Sequence, residues 1–306
     1  MTQPPLTPQI LVRLRSLAIS GIFPLLMLQA MPAQAGDAIP IWPALAPGET
    51  DQKNGTTLPG REQDKPTITR IKDITCPTME VIAPEGGGNG AAILILPGGG
   101  FGYVVPDLEG SEAGAVFNQL GITAFVLHYR TTSTGPKGAW SRPLQDSQRA
   151  IRSIRANADK WNLDPTRIGL LAFSAGGQVG AIHIGELGDA YEPIDEIDKL
   201  SARPDFAMLV YPWRVSDDAG KLMPEIKISK NSPPTFLVHT HDDASSSVGS
   251  ALIYADLKRN DVEAELHVYH NGGHGYGVRA KPGSNIGTWT DRAIDWLRSR
   301  GLGSAK

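Results

Sequence analysis

Short apolar runs recur along the chain at 91–96, 123–128, 167–172, 205–211, 234–240 and 262–269, separated by stretches of different period. Each is six to eight residues long, the length of a strand rather than a helix. At 107–119, 143–160, 175–187, 247–259 and 287–300 apolar residues return every three to four positions, which predicts helices. In the second of these, Leu144, Ala150, Ile151, Ile154 and Ala158 form one stripe. Arg149, Arg152, Arg155 and Lys160 fall off it and are expected to stay wet, and Asp146 and Arg149 are spaced to pair on the helix surface. Alternating strands and helices predict an α/β fold with a mostly parallel sheet and helices on both faces. Two shorter strands, at 67–75 and 78–83, precede the turn Gly86–Gly90 and are expected to form the antiparallel edge of that sheet.

The two ends of this pattern differ. Arg13 and Arg15 precede an apolar stretch from Leu17 to Leu28, followed by Ala33-Gln34-Ala35. That order of charge, apolar run and small-residue site predicts a signal peptide over residues 1–35, and hence a periplasmic or extracellular protein. Residues 36–66 carry Pro40, Pro43, Pro47, Pro59 and Pro66 and read as an extended arm. Residues 67–306 are left for one catalytic domain, with no internal repeat of solenoid length. Without the leader's two arginines the formal charge falls from −3 to −5, which offers nothing to nucleic acid or an anionic membrane. Cys76 is the one cysteine, so no intramolecular disulfide can form, and its place before Pro77 is that of a structural residue.

Chemistry concentrates at the ends of three strands. After 167–172 comes Phe173-Ser174-Ala175-Gly176-Gly177. Small neighbours let a strand turn abruptly into a helix with a strained serine at the apex, the geometry of a displayed nucleophile. After 91–96 comes Pro97-Gly98-Gly99-Gly100-Phe101, whose backbone N–H groups can converge on an oxyanion. A phosphate cradle is the competing reading, but no G-x-x-x-x-G-K-[ST] pattern is present. After 234–240 come Asp242 and Asp243, and after 262–269 comes Gly272-Gly273-His274-Gly275. The chain order Ser, Asp, His supplies nucleophile, acid and base. Adjacent extended residues point to opposite sides, so one of Asp242 and Asp243 can face His274 and the spacing alone does not choose. His239, His241 and His270 could mimic metal ligands, but lie on strands and loops where a structural or supporting role is the simpler reading, and neither metal nor organic cofactor is expected.

From about Lys72 onward the chain resembles the acetyl esterase and lipase branch of the α/β-hydrolases, in particular secreted acetyl-xylan and feruloyl esterases. The resemblance rests on Pro97-Gly-Gly-Gly-Phe101, Asp146-x-x-Arg149-Ala150, Ala172-Phe-Ser-Ala-Gly-Gly177, His239-Thr-His-Asp-Asp243 and Gly272-Gly-His-Gly275. It implies Ser174 as nucleophile, His274 as base, Asp243 as acid, and the amides of Gly99, Gly100 and Ala175 as oxyanion donors. Pro97 stands where related sequences often carry histidine. The implied activity is hydrolysis of short acyl, above all acetyl, esters of small alcohols or oligo- and polysaccharides. Phe101, Tyr103, Trp140, Trp213 and Tyr276 are the aromatic candidates for lining the substrate site. The triad order is shared with serine exopeptidases of the prolyl-oligopeptidase type, which usually carry a propeller before the hydrolase. A non-catalytic carbohydrate-binding descendant would be expected to have lost Ser174, His274 or the glycines.

Overall fold

The computed structural model describes residues 1–2, 38–132, 138–185 and 188–303. Apart from Met1 and Thr2, the leader expected over residues 1–35 lies outside the described residues. Among the described residues no helix is long and apolar enough to cross a membrane.

Among the described residues, ten strands and five α-helices follow one another along the chain. The strands are β1 (Ile39–Pro40), β2 (Asn54–Thr57), β3 (Ile71–Ile74), β4 (Thr78–Ile82), β5 (Ala92–Leu96), β6 (Thr123–His128), β7 (Ile168–Phe173), β8 (Phe206–Val210), β9 (Thr235–Thr240) and β10 (Ala264–Tyr269). The helices are α1 (Glu112–Asn118), α2 (Ser141–Ala156), α3 (Ser174–His183), α4 (Val248–Arg259) and α5 (Trp289–Ser299). Eight strands form one sheet in the order β1-β4-β6-β5-β7-β8-β9-β10. From β6 through β10 every neighbour is parallel, and β1 and β4 add an antiparallel edge.

Burial on both faces explains the unbroken apolar runs. Leu94 and Leu96 of β5 with Leu170 and Ala172 of β7 face one core, which also holds Ile151 and Ile154 of α2, Val179 of α3 and Leu257 of α4. Ile93, Ile95, Leu171 and Phe173 face the other, under Phe117 of α1 and Trp289 and Trp296 of α5. A strand wedged between two cores has no wet side to mark with polar residues. From β5 the chain steps to β6 on one side and then crosses to β7 on the other, so the C-terminal ends of β5 and β7 open a crevice at a topological switch point.

Two expectations about the periphery are corrected. The strand at 78–83 does join the sheet, but β3 does not pair with it. Both edges of β4 are taken, one by β6 and the other by β1, and β3 instead forms a separate two-stranded ribbon with β2. The proline-rich segment is accordingly docked, with Ile41, Trp42 and Ala46 buried in the core.

Helix α2 shows the second correction. Arg149 and Arg152 are buried, not wet, and Asp146 pairs with neither. The Asp146 carboxylate is fully buried, accepting from Arg130 Nε (3.0 Å), the Arg130 backbone N–H (2.9 Å) and Trp42 Nε1 (2.9 Å). Arg149 donates to Asp195 and Asp198 and, through Nε, to the Ile41 carbonyl (2.9 Å). Asp146 and Arg149 thus clamp the incoming chain and the 195–199 turn onto the sheet. A buried charge persists because it is paired on every side, and removing one partner typically costs about 3–5 kcal/mol.

At the far end of α3, His183 is buried between the Ser147 hydroxyl (2.8 Å) and the Ala202 carbonyl (2.8 Å). Burial pushes its imidazole down to about 4, against the bond to Ala202. The folded protein therefore holds fewer protons than the unfolded chain between an ordinary histidine value near 6.5 and about 4, so this group makes stability fall as pH drops through that window. The loss expected is roughly 3 kcal/mol by pH 4. Urea midpoints of wild type and His183→Gln between pH 7 and 4 check this, since the variant should show a shallower slope. Parallel curves would reject it.

Candidate active site

Local sterics build the position of the serine. β7 ends at Phe173, and Ser174 has φ of 52°, a left-handed conformation at the apex of the turn that places the residue in the wall of a cleft. The following residues must be small. A Cβ on Gly176 would sit 2.3 Å from the Leu96 carbonyl oxygen, and one on Gly177 would sit 2.8 Å from Pro212 Cα. These glycines let α3 start against the ends of β5 and β8. Ser174 Oγ lies 2.6 Å from His274 Nε2, and His274 Nδ1 lies 2.7 Å from Asp243 Oδ2.

Asp243, rather than Asp242, faces the imidazole. Its carboxylate is buried and accepts three donors: His274 Nδ1, His239 Nε2 at 3.1 Å and the Ser245 backbone N–H at 2.7 Å. Burial works against its charge, but the bonds to His239, His274 and the Ser245 amide outweigh that and hold the carboxyl well below the usual carboxylate range. His239 is oriented in turn by Ser250 Oγ of α4 at 2.9 Å. Asp242, which like Asp243 stands in the turn after β9 rather than in the strand, accepts the Gly273 (2.8 Å) and Gly272 (3.2 Å) amides. It braces the loop carrying His274, which Thr240 Oγ1 and Lys281 Nζ also hold through the Gly273 and Gly272 carbonyls. His241 and His270 are exposed and away from this constellation.

The glycine loop after β5 lies beside the serine. Gly99 and Gly100 border the same cleft as Ser174 and His274, and among the described residues their N–H groups have no acceptor. Ala175 adds an amide at the first turn of α3, where helix geometry leaves N–H groups unpartnered. Gly98 is different: its N–H is consumed by Glu109 Oε2 at 2.7 Å. Tyr129 donates its hydroxyl to the Pro97 carbonyl at 2.6 Å. These two bonds hold a loop that opens on proline.

Glu109 and Tyr211 had no place in the sequence reading. Glu109 is buried just beyond the glycine loop, and Tyr211 OH donates to its Oε1 at 2.8 Å while accepting the Gly277 amide at 2.9 Å. Burial pushes the Glu109 carboxyl up, against the bonds from Tyr211 and Gly98. The Tyr211 ring stands edge-on to the His274 imidazole with centroids 4.9 Å apart. One buried carboxyl therefore ties the glycine loop to the histidine loop. In the sequence it is one of three acids, with Asp107 and Glu112, at the start of a predicted helix, and only the packing distinguishes it from a solvated one.

The aromatic candidates divide. Tyr103 and Trp213 line the cleft at Ser174. Phe101 and Tyr276 are each 1% exposed and do not line it. Phe101 packs against Trp213, and Tyr276 against Tyr211 with centroids 4.3 Å apart. Trp140 lies at the start of α2, packed on the core away from the cleft. Two clefts meet at Trp213 and His274. One, about 540 Å³, holds Ser174, Gly99, Gly100, Ile68, Tyr103, Val105 and Leu108. The other, about 700 Å³, runs along 213–218 and 243–248.

Comparison with known proteins matches residues 79–199 to the BD-FAE family model. The chain is 30% identical over 206 residues to endo-1,4-beta-xylanase B of Butyrivibrio fibrisolvens, covering 61% of this chain and 32% of that protein. It is 27% identical over 243 residues to an acetylxylan esterase of Xylanibacter ruminicola, covering 69% of this chain and 46% of the relative. The chain thus spans less than half the length of either. Among solved structures, the acetyl ester-xyloside bifunctional hydrolase of Caldicellulosiruptor lactoaceticus superposes with a TM-score of 0.70 at 27% identity, over 88% of this chain and 98% of that one. An esterase of Thermogutta terrifontis shares the fold with a TM-score of 0.65 at 20% identity, over 76% and 93% of the two chains.

Proposed function

We propose that this chain, which belongs to the α/β-hydrolases of the esterase branch, is an exported serine carboxylesterase that removes acetyl groups from acetylated carbohydrate such as xylan. The observation that carries the reading is the continuous relay from Ser174 Oγ through His274 to the buried Asp243, beside two unclaimed glycine amides. A serine hydroxyl attacks an ester when a base takes its proton and donors receive the charge that develops.

In the first half-reaction His274 Nε2 takes the Ser174 proton as Oγ bonds to the ester carbonyl carbon. The carbonyl oxygen becomes an oxyanion received by the Gly99, Gly100 and Ala175 amides. Asp243 holds the ring with Nδ1 protonated and stabilises the imidazolium. Collapse breaks the bond to the alcohol oxygen, which leaves with the proton from Nε2. Water then gives a proton to His274 Nε2 as its oxygen bonds to the acyl carbon; the C–Oγ bond breaks, Ser174 Oγ takes that proton back from Nε2, and acetic acid leaves, ionising to acetate. Xylan-directed relatives support the carbohydrate substrate, and the charged leader with its Ala33-Gln34-Ala35 site supports export.

The smaller cleft favours a short acyl group. Ile68, Val105 and Leu108 give it apolar wall, but the buried charged residues Arg70 and Glu109 stand in the same cleft. A long hydrocarbon would lie against them, and a methylene that fails to fit is worth about 1–3 kcal/mol. With purified protein, p-nitrophenyl acetate should exceed the butyrate in kcat/KM by about an order of magnitude, and the octanoate by more. Acetate should also be released from acetylated xylan. Faster octanoate turnover, or cleavage of aminoacyl nitroanilides without esterase activity, would replace this reading with a lipase or a peptidase.

A further inference from the structure

The two clefts share His274 and Trp213, but only the smaller one contains Ser174, Gly99 and Gly100. Resting on the esterase reading, that asymmetry assigns the two halves of a substrate. At the tetrahedral carbon one oxygen faces the glycine amides and the departing oxygen must face His274 Nε2, which protonates it. The alcohol half therefore extends past His274 on the side away from the glycines, where the larger cleft begins with Asp243 and His274 in its wall. We propose that this larger cleft, bounded by 213–218 and 244–248, is a binding site for an oligosaccharide of two or more sugar units that carries the ester.

Size and lining both point to a polyol chain. About 700 Å³ is ample for several rings and far more than a simple alcohol needs. Trp213 forms the wall shared with the reactive cleft, and Arg214 follows it with φ of 49°, its guanidinium 4.5 Å from the indole ring. Among the described residues that guanidinium makes no ion pair, and the Asp218 carboxylate has no hydrogen-bond partner. Asp217 lines the same trough and accepts the Lys221 amide at 2.8 Å. Arg214 donors, an Asp218 acceptor and the hydroxyls of Ser216 and Ser246 thus stand around one open trough. Sugar hydroxyls donate and accept alternately and can satisfy both kinds of group. A fatty alcohol would strip water from these groups and return nothing.

The test compares monoacetylated xylose, xylobiose and xylotriose, with p-nitrophenyl acetate as the small ester, and measures binding of unesterified xylotriose by calorimetry. The expected result is a kcat/KM for acetylated xylotriose at least tenfold above that for acetylated xylose. The double variant Arg214→Ala/Asp218→Ala should lower the ratio of the xylotriose to the p-nitrophenyl acetate value about tenfold and weaken xylotriose binding by a similar factor. Circular dichroism establishes that the variant is folded, and Asp218→Asn alone gives a milder second variant expected to move the ratio the same way. Equal kcat/KM across the three lengths, with no xylotriose binding, would overturn the oligosaccharide site while p-nitrophenyl acetate turnover left the esterase reading standing. Xylotriose binding that depends on Arg214 and Asp218 without turnover of any ester would overturn the esterase reading and keep the site.

Discussion

Ser174→Ala is expected to lower kcat on p-nitrophenyl acetate by roughly 10⁵–10⁶, the scale on which losing a relay serine removes the covalent route. The fold should not change. The strain at φ of 52° is a backbone property that alanine accepts no worse than serine, and the lost hydroxyl gives up one bond, to His274, at the mouth of the cleft. A serine-directed phosphonate should add its mass to wild type on the peptide containing Ser174, and leave the variant unlabelled with an unaltered melting curve. Retention of more than a few per cent of the activity would remove Ser174 from the mechanism, and labelling elsewhere would point to its replacement.

The next largest effect is expected at Asp243. In Asp243→Asn the amide nitrogen can face His274 Nδ1, which favours the tautomer with Nδ1 unprotonated and leaves Nε2 carrying hydrogen, unable to take the serine proton. The cost of such a tautomer error is about 10⁴ in kcat. Asp243 also receives His239, so the substitution disturbs two rings. Asp242→Asn should cost less than about tenfold, because one amide oxygen can still accept from Gly273, and the change alters the loop rather than the proton path. Both variants are read by kcat and KM on p-nitrophenyl acetate across pH. Since Asp243 is held well below the usual carboxylate range, it stays charged in the working range and should add no acid limb of its own there. The reverse ranking of the two variants would make Asp242 the partner of His274.

The parts of the site legible in the sequence were those set by neighbours in the chain. The elbow at Ser174 needs small residues within three positions, and the contacts a Cβ would make at Gly176 and Gly177 show why. Asp242 and Asp243 were expected to be separated by strand alternation, but both stand in the turn beyond the end of β9 at Thr240, and that turn sets their partners, the Gly273 amide and His274. Where contacts cross the sequence the same reading failed. Asp146 and Arg149 were expected to meet each other across one helical turn. Asp146 instead meets Arg130 and Trp42, and Arg149 meets Asp195, Asp198 and the Ile41 carbonyl. Glu109 went unnoticed for the same reason, its partners Gly98 and Tyr211 being 11 and 102 positions away.

Sequence by itself determined the alternation of strands and helices, the two-sided burial of the sheet and the elbow, because period, length and backbone sterics are local properties that repeat wherever the residues recur. Tertiary structure decided which edge strand pairs with which, which charges are buried, and which aromatic rings reach the cleft. Phe101 and Tyr276 fall behind the site while Tyr103 and Trp213 face it, though all four stand near the ends of strands. Burial of a polar or aromatic side chain depends on what the rest of the chain folds over it, and that is fixed only when distant segments compete for the same surface.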